Sequence, residues 1–144
     1  SLSSKIRAMW KGRVVVKGIL AAEDARIAVE RGADGIIVSN HGGRQLDGSI
    51  SPLRVLPEIV EACPSVPVMF DSGIRRGTHI LKALALGAKF VFLGRSFGYA
   101  ASVGGEAGVR HAIDILRVEI DRDMAMMGIN RLEELGPSCL RRIR

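Results

Sequence analysis

The chain has 144 residues, 47% of them hydrophobic and 4% aromatic, a length and an aliphatic content that indicate one folded domain and exclude a disordered chain. The net charge is +6. Because the basic residues gather at the two ends without a long basic block or interleaved aromatic residues, nucleic-acid binding is disfavoured, whereas a peripheral contact with a membrane surface stays compatible with the composition.

Four units of a strand followed by a helix are predicted along the chain. The strands are expected at residues 14–16, 35–39, 66–70 and 90–93, and the helices at residues 21–31, 52–62, 76–86 and 106–127. Each predicted strand is a short continuous apolar run, typical of strands buried on both faces of a parallel sheet. Ser51 and Pro52 suit the N-cap and first position of the second helix, and residues 132–140 are predicted to add a short helix.

This alternation predicts an α/β fold with parallel strands. Four such units can form an open sheet or half of a (β/α)8 barrel, since a complete barrel needs about 250 residues. A half barrel exposes two sheet edges, and we therefore expect it to require a complementary chain segment. The start at Ser1, in the middle of a pattern and without an initiator Met, suggests a fragment, a nicked chain or an engineered excerpt of a longer chain.

A polar motif follows the end of each predicted strand. The motifs are Lys17, the run from Ser39 to Gln45, the run from Asp71 to Gly77, and the pair Gly94-Arg95. Parallel α/β folds bind ligands at the carboxyl ends of their strands. We therefore expect these four motifs to form one site.

His41 and Arg44 have side chains suited to acid–base chemistry on an anion. Imidazole transfers protons near neutral pH, and Gly42 and Gly43 leave space beside it. A guanidinium can hold both oxygens of a carboxylate. The residues alone leave open a structural role for His41 and an ion pair of Arg44 with Asp47.

Two glycine-containing turns suit a phosphate. Gly73 and Gly94 let backbone N–H groups approach an anion, and Arg75 and Arg95 add positive charge beside them. Phosphate is commonly bound near the last two strands of a barrel.

No metal site or membrane-spanning segment is predicted. Cys63 and Cys139 lie far apart without the spacing of metal ligands, so we expect reduced thiols in a cytoplasmic protein. No apolar run approaches the ~20 residues that cross a bilayer.

Five segments together resemble one enzyme family. VVVKGI, DGIIVSNHGGRQLDG, FDSGIRRG, KALALGA and VFLGR are similar, in this order, to segments of the FMN-dependent 2-hydroxy-acid oxidising enzymes. That family includes L-lactate dehydrogenase, glycolate oxidase, mandelate dehydrogenase and the flavin domain of flavocytochrome b2. The likeness extends from about Met9 to Leu140. It implies that residues 1–144 are the C-terminal half, strands five to eight, of a (β/α)8 TIM barrel whose N-terminal half is absent from this chain.

The resemblance implies an activity and a role for each motif. FMN would be the cofactor, and an L-2-hydroxy acid such as lactate, glycolate or mandelate would be oxidised to the 2-oxo acid. His41 would be the catalytic base and contact the substrate, Arg44 would bind the substrate carboxylate, and Lys17 would stabilise the reduced flavin. The residues implied to contact FMN are Lys17, Ser39 (through a hydrogen bond to the flavin ring), Asp71, Gly73, Arg75, Gly94 and Arg95.

The expected partners are the small 2-hydroxy acid, the complementary N-terminal barrel half and further copies in a homo-oligomer, a tetramer or octamer. The expected location is cytoplasmic, with peripheral contact at the inner membrane. Two alternatives stay open. One is another phosphate- or FMN-binding barrel, such as an FMN-dependent isomerase or an inosinate-dehydrogenase-like enzyme, which the NHGGRQ segment argues against. The other is a non-catalytic half-barrel fragment.

Overall fold

The computed structural model describes residues 2–143. In that range the helices are α1 (Leu2–Met9), α2 (Ala22–Glu30), α3 (Pro52–Ala62), α4 (Gly77–Ala85) and α5 (Arg95–Met127), and the strands are β1 (Val15–Ile19), β2 (Gly35–Val38) and β3 (Val68–Phe70). Short 3-10 turns lie at His41–Gly43, Leu132–Glu134 and Pro137–Cys139. The C-terminal segment thus forms two separate turns where one short helix was predicted.

The three strands form one parallel sheet in the order β1-β2-β3. Val15 lies opposite Gly35 in the first pair of strands. The register shifts between Lys17 and Ile19, where Gly18 has a φ of 100°, a conformation that favours glycine. The predicted α/β class with parallel strands is confirmed.

The predicted fourth strand at residues 90–93 is wrong as a strand, because only an isolated bridge between Val91 and Phe70 forms there. Phe70 N–H donates to the Phe90 carbonyl oxygen at 2.9 Å, and Phe92 N–H donates to the Phe70 carbonyl oxygen at 2.8 Å. Among the described residues, this segment pairs with β3 on one side and with no strand on the other, and it runs directly into α5. Those two ladder bonds are too few for a strand.

The last long helix begins earlier than predicted. We expected it to start at about Glu106, but α5 starts at Arg95. Gly104 and Gly105 have non-helical backbone angles and kink α5, so the apolar periodicity of the sequence is visible only beyond the kink. Ser51 occupies the predicted N-cap of α3, although its side chain makes no capping bond.

The core lies between one face of the sheet and helices α2, α3 and α4. Its largest fully buried side chains include Ile36, Leu56 and Phe70. Residues that alternate with these along the strands point to the opposite face. On that face Val15 is 44% exposed and Phe90 is 56% exposed, so the sheet is covered on one side and open on the other.

Within residues 2–143, no helix has the length and apolar character needed to cross a membrane. The same residues contain no group of three or more His, Cys, Asp or Glu side chains arranged to hold a metal ion. Cys63 is buried in the core, Cys139 is exposed, and both are free thiols.

Candidate functional site

An open cleft of about 980 Å³ lies where the polar motifs leave the strands. Of the residues predicted to form the site, those lining the cleft are Lys17, His41, Arg44, Asp71, Gly73, Arg75, Gly94 and Arg95. Ser39 is the exception, because it is fully buried beneath them. The structure therefore brings the four separate sequence motifs together, as parallel strands require.

Lys17 and Asp71 form an ion pair at the floor of the cleft. Lys17 Nζ lies 2.9 Å from Asp71 Oδ2, and the other Asp71 oxygen accepts hydrogen bonds from the hydroxyls of Ser39 and Ser72. Burial acts to raise the pKa of Asp71, but hydrogen bonds from Ser39, Lys17 and Ser72 and the charge of Lys17 outweigh it. The net pKa is lowered, so the carboxylate stays ionised and holds Lys17 at the cleft.

The turn that carries His41 is fixed by side-chain hydrogen bonds. His41 N–H donates to Ser39 Oγ at 3.0 Å, and Gly42 N–H donates both to Asn40 Oδ1 at 3.0 Å and to Ser72 Oγ at 3.1 Å. His41 has a φ of 56°, which is uncommon for a residue with a side chain. Such backbone strain persists where surrounding contacts enforce it, often at functional sites.

The His41 imidazole is exposed to the cleft and passes close to Gly18 of β1. A Cβ atom at Gly18 would lie 2.7 Å from His41 Nε2, closer than real contacts allow. Glycine at position 18 therefore permits both the local strand geometry and the position of the ring. Sequence reasoning missed this role, although a glycine inside a strand often marks a close approach.

Arg44 is exposed on the wall of the cleft, near His41. No ion pair between Arg44 and Asp47 occurs in the part of the chain that the structure describes. The alternative that Arg44 only forms an ion pair with Asp47 is therefore not supported by any contact in this part of the chain. Its guanidinium is available to an anion in the cleft.

The two glycine turns leave room beside their backbone. A Cβ atom at Gly73 or Gly94 would meet nothing within 4 Å. Arg95 Nη2 donates to the Gly42 carbonyl oxygen at 3.0 Å, so the second turn contacts the His41 turn directly. An anion could therefore approach backbone N–H groups at both turns, beside an arginine that already contacts the His41 turn.

Glu119 of α5 secures the turn that carries Arg75. Its carboxylate accepts from Gly77 N–H at 2.7 Å and from Arg76 Nε at 2.7 Å. The hydrogen bond from Gly77 is the main cause of its lowered pKa. His79 of α4 accepts a hydrogen bond from Arg75 N–H through Nδ1. The contacts of Glu119 join residues far apart in the sequence and left no signal in it, whereas the bond between Arg75 and His79 is local.

Asn40 and Ser72 were also missed by sequence reasoning. Each is followed within two residues by a glycine. The side-chain amide of Asn and the hydroxyl of Ser commonly form hydrogen bonds to the backbone of such turns. That turn composition is the signal that could have identified them.

The electrostatics of the cleft define the class of ligand. Four side-chain cations and one carboxylate line it: Lys17, Arg44, Arg75 and Arg95 against Asp71. A parallel α/β chain with such a cleft at the strand ends belongs to the anion-binding α/β proteins. The family model for FMN-dependent dehydrogenases matches residues 3–142, and the chain belongs to this family.

Individual relatives agree with the family model. The chain is 49% identical over 136 residues to an L-lactate dehydrogenase of Stenotrophomonas maltophilia, covering 94% of this chain and 36% of that protein. It is 48% identical over 135 residues to (S)-mandelate dehydrogenase of Pseudomonas putida, covering 94% and 34%. The crystal structure of the monotopic membrane protein (S)-mandelate dehydrogenase superposes with a TM-score of 0.94 at 46% identity, covering 97% and 37%. The chain therefore spans about a third of the length of these relatives.

Proposed function

We propose that this chain is part of an FMN-dependent enzyme that oxidises an L-2-hydroxy acid to the 2-oxo acid. The observation that carries the proposal is the convergence of His41 with four cationic side chains on one cleft. A base and several cations suit a substrate that is itself an anion and must lose a proton. The names of the relatives, L-lactate dehydrogenase and (S)-mandelate dehydrogenase, support the same reaction class.

The cleft suits a cofactor with a phosphate. Gly73 and Gly94 leave open space beside their backbone, where an added Cβ would contact nothing within 4 Å, and Arg75 and Arg95 line the same cleft. These are the groups that bind phosphate in α/β proteins. Lys17, held by Asp71, would face the ring system of FMN.

Each side chain has a distinct role in the proposed reaction. FMN, when bound, supplies the two-electron acceptor. Arg44 binds the substrate carboxylate and thereby orients the α-carbon. His41 removes a proton from the substrate, either from the hydroxyl group or from the α-carbon. Lys17 provides a fixed positive charge where negative charge develops during oxidation.

We further propose that residues 1–144 are the C-terminal half of a (β/α)8 barrel. β1 and the segment 90–92 each have a strand neighbour on one side only among the described residues. Val15, Phe90 and Phe92 are 44%, 56% and 39% exposed on the open face of the sheet. An N-terminal half would supply the missing strands and cover this surface.

The half-barrel proposal is tested by isolating the chain. We expect the 144-residue chain alone to bind a hydrophobic dye strongly and to melt without a cooperative transition. A cooperatively folded monomer with little dye binding would contradict the half barrel. Assembly into a homo-oligomer and peripheral membrane contact stay predictions. The molecular mass of the complete protein in solution tests the first, and its co-sedimentation with lipid vesicles tests the second.

Spectroscopy of the complete flavoprotein tests the proposed function. Under anaerobic conditions, L-lactate, glycolate or (S)-mandelate should bleach the oxidised flavin absorbance, whereas D-lactate should not. Bound flavin that none of these acids reduces would favour another FMN-binding barrel, such as an isomerase. Failure to bind FMN at all would favour a fragment without catalysis.

A further inference from the structure

The side chain of His79 accepts a backbone hydrogen bond at the start of α4. Arg75 N–H donates to His79 Nδ1 at 3.2 Å, and α4 begins at Gly77, just after Arg75. The N–H groups at the start of a helix lack partners within the helix, and the side chain at the third helical position commonly reaches back to one of them. His79 is the third residue of α4. Its imidazole therefore fixes the backbone at Arg75.

The turn before α4 connects this bond to the cleft. Gly73 and Arg75 line the cleft, whereas His79 is not among the described residues that line it. On the other side of the turn, Glu119 of α5 accepts from Gly77 N–H at 2.7 Å. Two side chains outside the cleft thus hold the end of the turn that adjoins the helix. A change at His79 would reach the cleft through the backbone of Arg75.

We propose that His79 is a positioning residue for the turn that would bind the FMN phosphate, and that it holds this turn only while its imidazole is neutral. The inference rests on the proposed function, because Gly73 and Arg75 are the groups assigned to the phosphate there. It adds a residue outside the cleft to the cofactor site, and it makes retention of the cofactor depend on pH.

The hydrogen bond from Arg75 N–H needs a lone pair on Nδ1 of His79. A neutral imidazole has one nitrogen that donates and one that accepts, whereas a protonated imidazole has two donors and no acceptor. Imidazole generally changes its charge between pH 5 and 8. As the pH falls through that range, the amide loses its acceptor and faces an N–H group. Glu or Gln, the usual residues at this helical position, would accept the bond over the same range.

Charges of both signs surround the imidazole of His79. Helix α5 packs against α4 and brings the carboxylate of Glu119 to the turn. The main cause of the lowered pKa of Glu119 is a backbone hydrogen bond, and a charge on His79 is the smallest of its causes. Arg75 and Arg76 precede the helix, and Lys82 lies one helical turn beyond His79. Protonation of His79 would therefore add a positive charge to a helix N-terminus that already carries several.

Asparagine is a matched replacement for His79. Its amide oxygen is attached to Cγ, as Nδ1 of histidine is, so His79→Asn places an acceptor that does not titrate at the same position. His79→Ala removes the acceptor at every pH. His111→Asn is the control for the replacement itself, because His111 is an exposed residue of α5 outside the cleft. Titration of the FMN phosphate and of His41 affects all four proteins alike, so the comparison between them isolates His79.

The experiment measures the FMN affinity of the complete apoprotein by fluorescence titration at about pH 8 and about pH 5.5, near the two ends of the range in which imidazole titrates. In the alkaline buffer, His79→Asn should bind FMN within about 2-fold of wild type, and His79→Ala roughly 3- to 10-fold more weakly, the effect of one hydrogen bond. In the acid buffer, wild type should bind roughly 3- to 10-fold more weakly than His79→Asn and should match His79→Ala. His111→Asn should follow wild type in both buffers.

Hydrogen exchange supplies a second measurement that does not depend on the cofactor. Protection of the Arg75 amide, relative to the intrinsic exchange rate at each pH, should fall from the alkaline to the acid buffer in wild type and stay constant in His79→Asn. Should the variants fail to fold, equal protection of this amide in both buffers in the wild-type protein would contradict the proposal by itself.

Three results of the titrations would overturn the proposal. Tighter FMN binding by wild type than by His79→Asn in the acid buffer would make the protonated imidazole a cation for the phosphate. An equal ratio of their affinities in both buffers would exclude the dependence on protonation. Wild-type affinity of His79→Ala in the alkaline buffer would exclude positioning. If wild type binds no FMN at all, the proposed function fails, while the exchange of the Arg75 amide still decides whether His79 holds the turn.

Discussion

Arg95 and Gly42 join two turns of the cleft that are far apart in the sequence. Arg95 Nη2 donates to the Gly42 carbonyl oxygen at 3.0 Å, and a Cβ atom at Gly42 would lie 2.8 Å from the same nitrogen. The turn proposed to bind phosphate therefore contacts the turn that carries His41. In the proposed function, binding of the cofactor and placement of the base would therefore share one side chain.

Arg95→Ala should weaken FMN binding roughly 10- to 100-fold, because a charge-assisted contact to phosphate is lost. Gly94→Asp should weaken it as well, since it adds negative charge to the same turn. Fluorescence titration of the complete apoprotein measures both. Arg54→Ala, which removes an exposed charge outside the cleft, should bind FMN like the wild type, and equal losses in Arg54→Ala and Arg95→Ala would point to net charge alone.

Gly18→Ala should slow flavin reduction because the added Cβ would lie 2.7 Å from His41 Nε2. Gly48→Ala is the matched control, since Gly48 also has a positive φ but a Cβ atom added there would meet nothing within 4 Å. Each variant should lose about 1–2 kcal/mol of stability from its strained backbone. Stopped-flow measurement of flavin reduction, together with thermal melts, tests both expectations. An unaltered rate of flavin reduction in Gly18→Ala would exclude a role of His41 Nε2 in the reaction.

Glu119→Gln should lower the stability of the complete protein by about 1 kcal/mol at neutral pH. The hydrogen bonds from Gly77 N–H and Arg76 would then be accepted by a neutral amide in place of a negatively charged carboxylate. The folded-state pKa of Glu119 is lowered, so its contribution is present above the ordinary pKa of a glutamate and is lost as pH falls through the folded value. The gap in unfolding free energy between wild type and variant should therefore close in acid.

Glu106→Gln is the control for this pH dependence. Glu106 forms an exposed ion pair with Arg110 one helical turn away, and such pairs stabilise little. Denaturant melts at several pH values measure all three proteins. A gap for Glu119→Gln that stays constant down to acid pH would contradict the role given to its charge.

Arg44→Lys should raise the KM for the hydroxy acid roughly 10-fold and lower turnover while FMN stays bound, because a point charge replaces a planar two-pronged donor. Steady-state kinetics together with flavin content test the assignment. Unchanged KM and kcat would exclude Arg44 from the substrate site.

The sequence predicted which motifs meet, because the carboxyl ends of parallel strands lie at one edge of the sheet. Lys17, His41 and Asp71 were brought together for that reason. The segment 90–93 was mistaken for a strand because strand formation depends on paired neighbours, which apolar character alone does not reveal. The start of α5 was missed since Gly104 and Gly105 interrupt its pattern.

The sequence predicted which residues line the cleft better than it predicted the contacts between them. Nothing in the sequence indicated that the Ser39 hydroxyl is buried and bonded to Asp71 and the His41 amide, or that Gly18 adjoins the His41 ring. Both facts depend on the spacing between β1 and β2 and on side-chain orientation. Glu119 likewise reaches its partners only because α4 and α5 pack together.

The most direct test of the account is flavin reduction in His41→Ala, measured by stopped flow in the complete holoenzyme beside its flavin content and thermal melt. We predict a rate at least ~10²-fold below wild type, the scale of general acid–base catalysis, with FMN still bound and the melting temperature little changed. A normal rate of reduction in a fully flavinated, stable His41→Ala variant would contradict the assignment of His41 as the base and the proposed reaction with it.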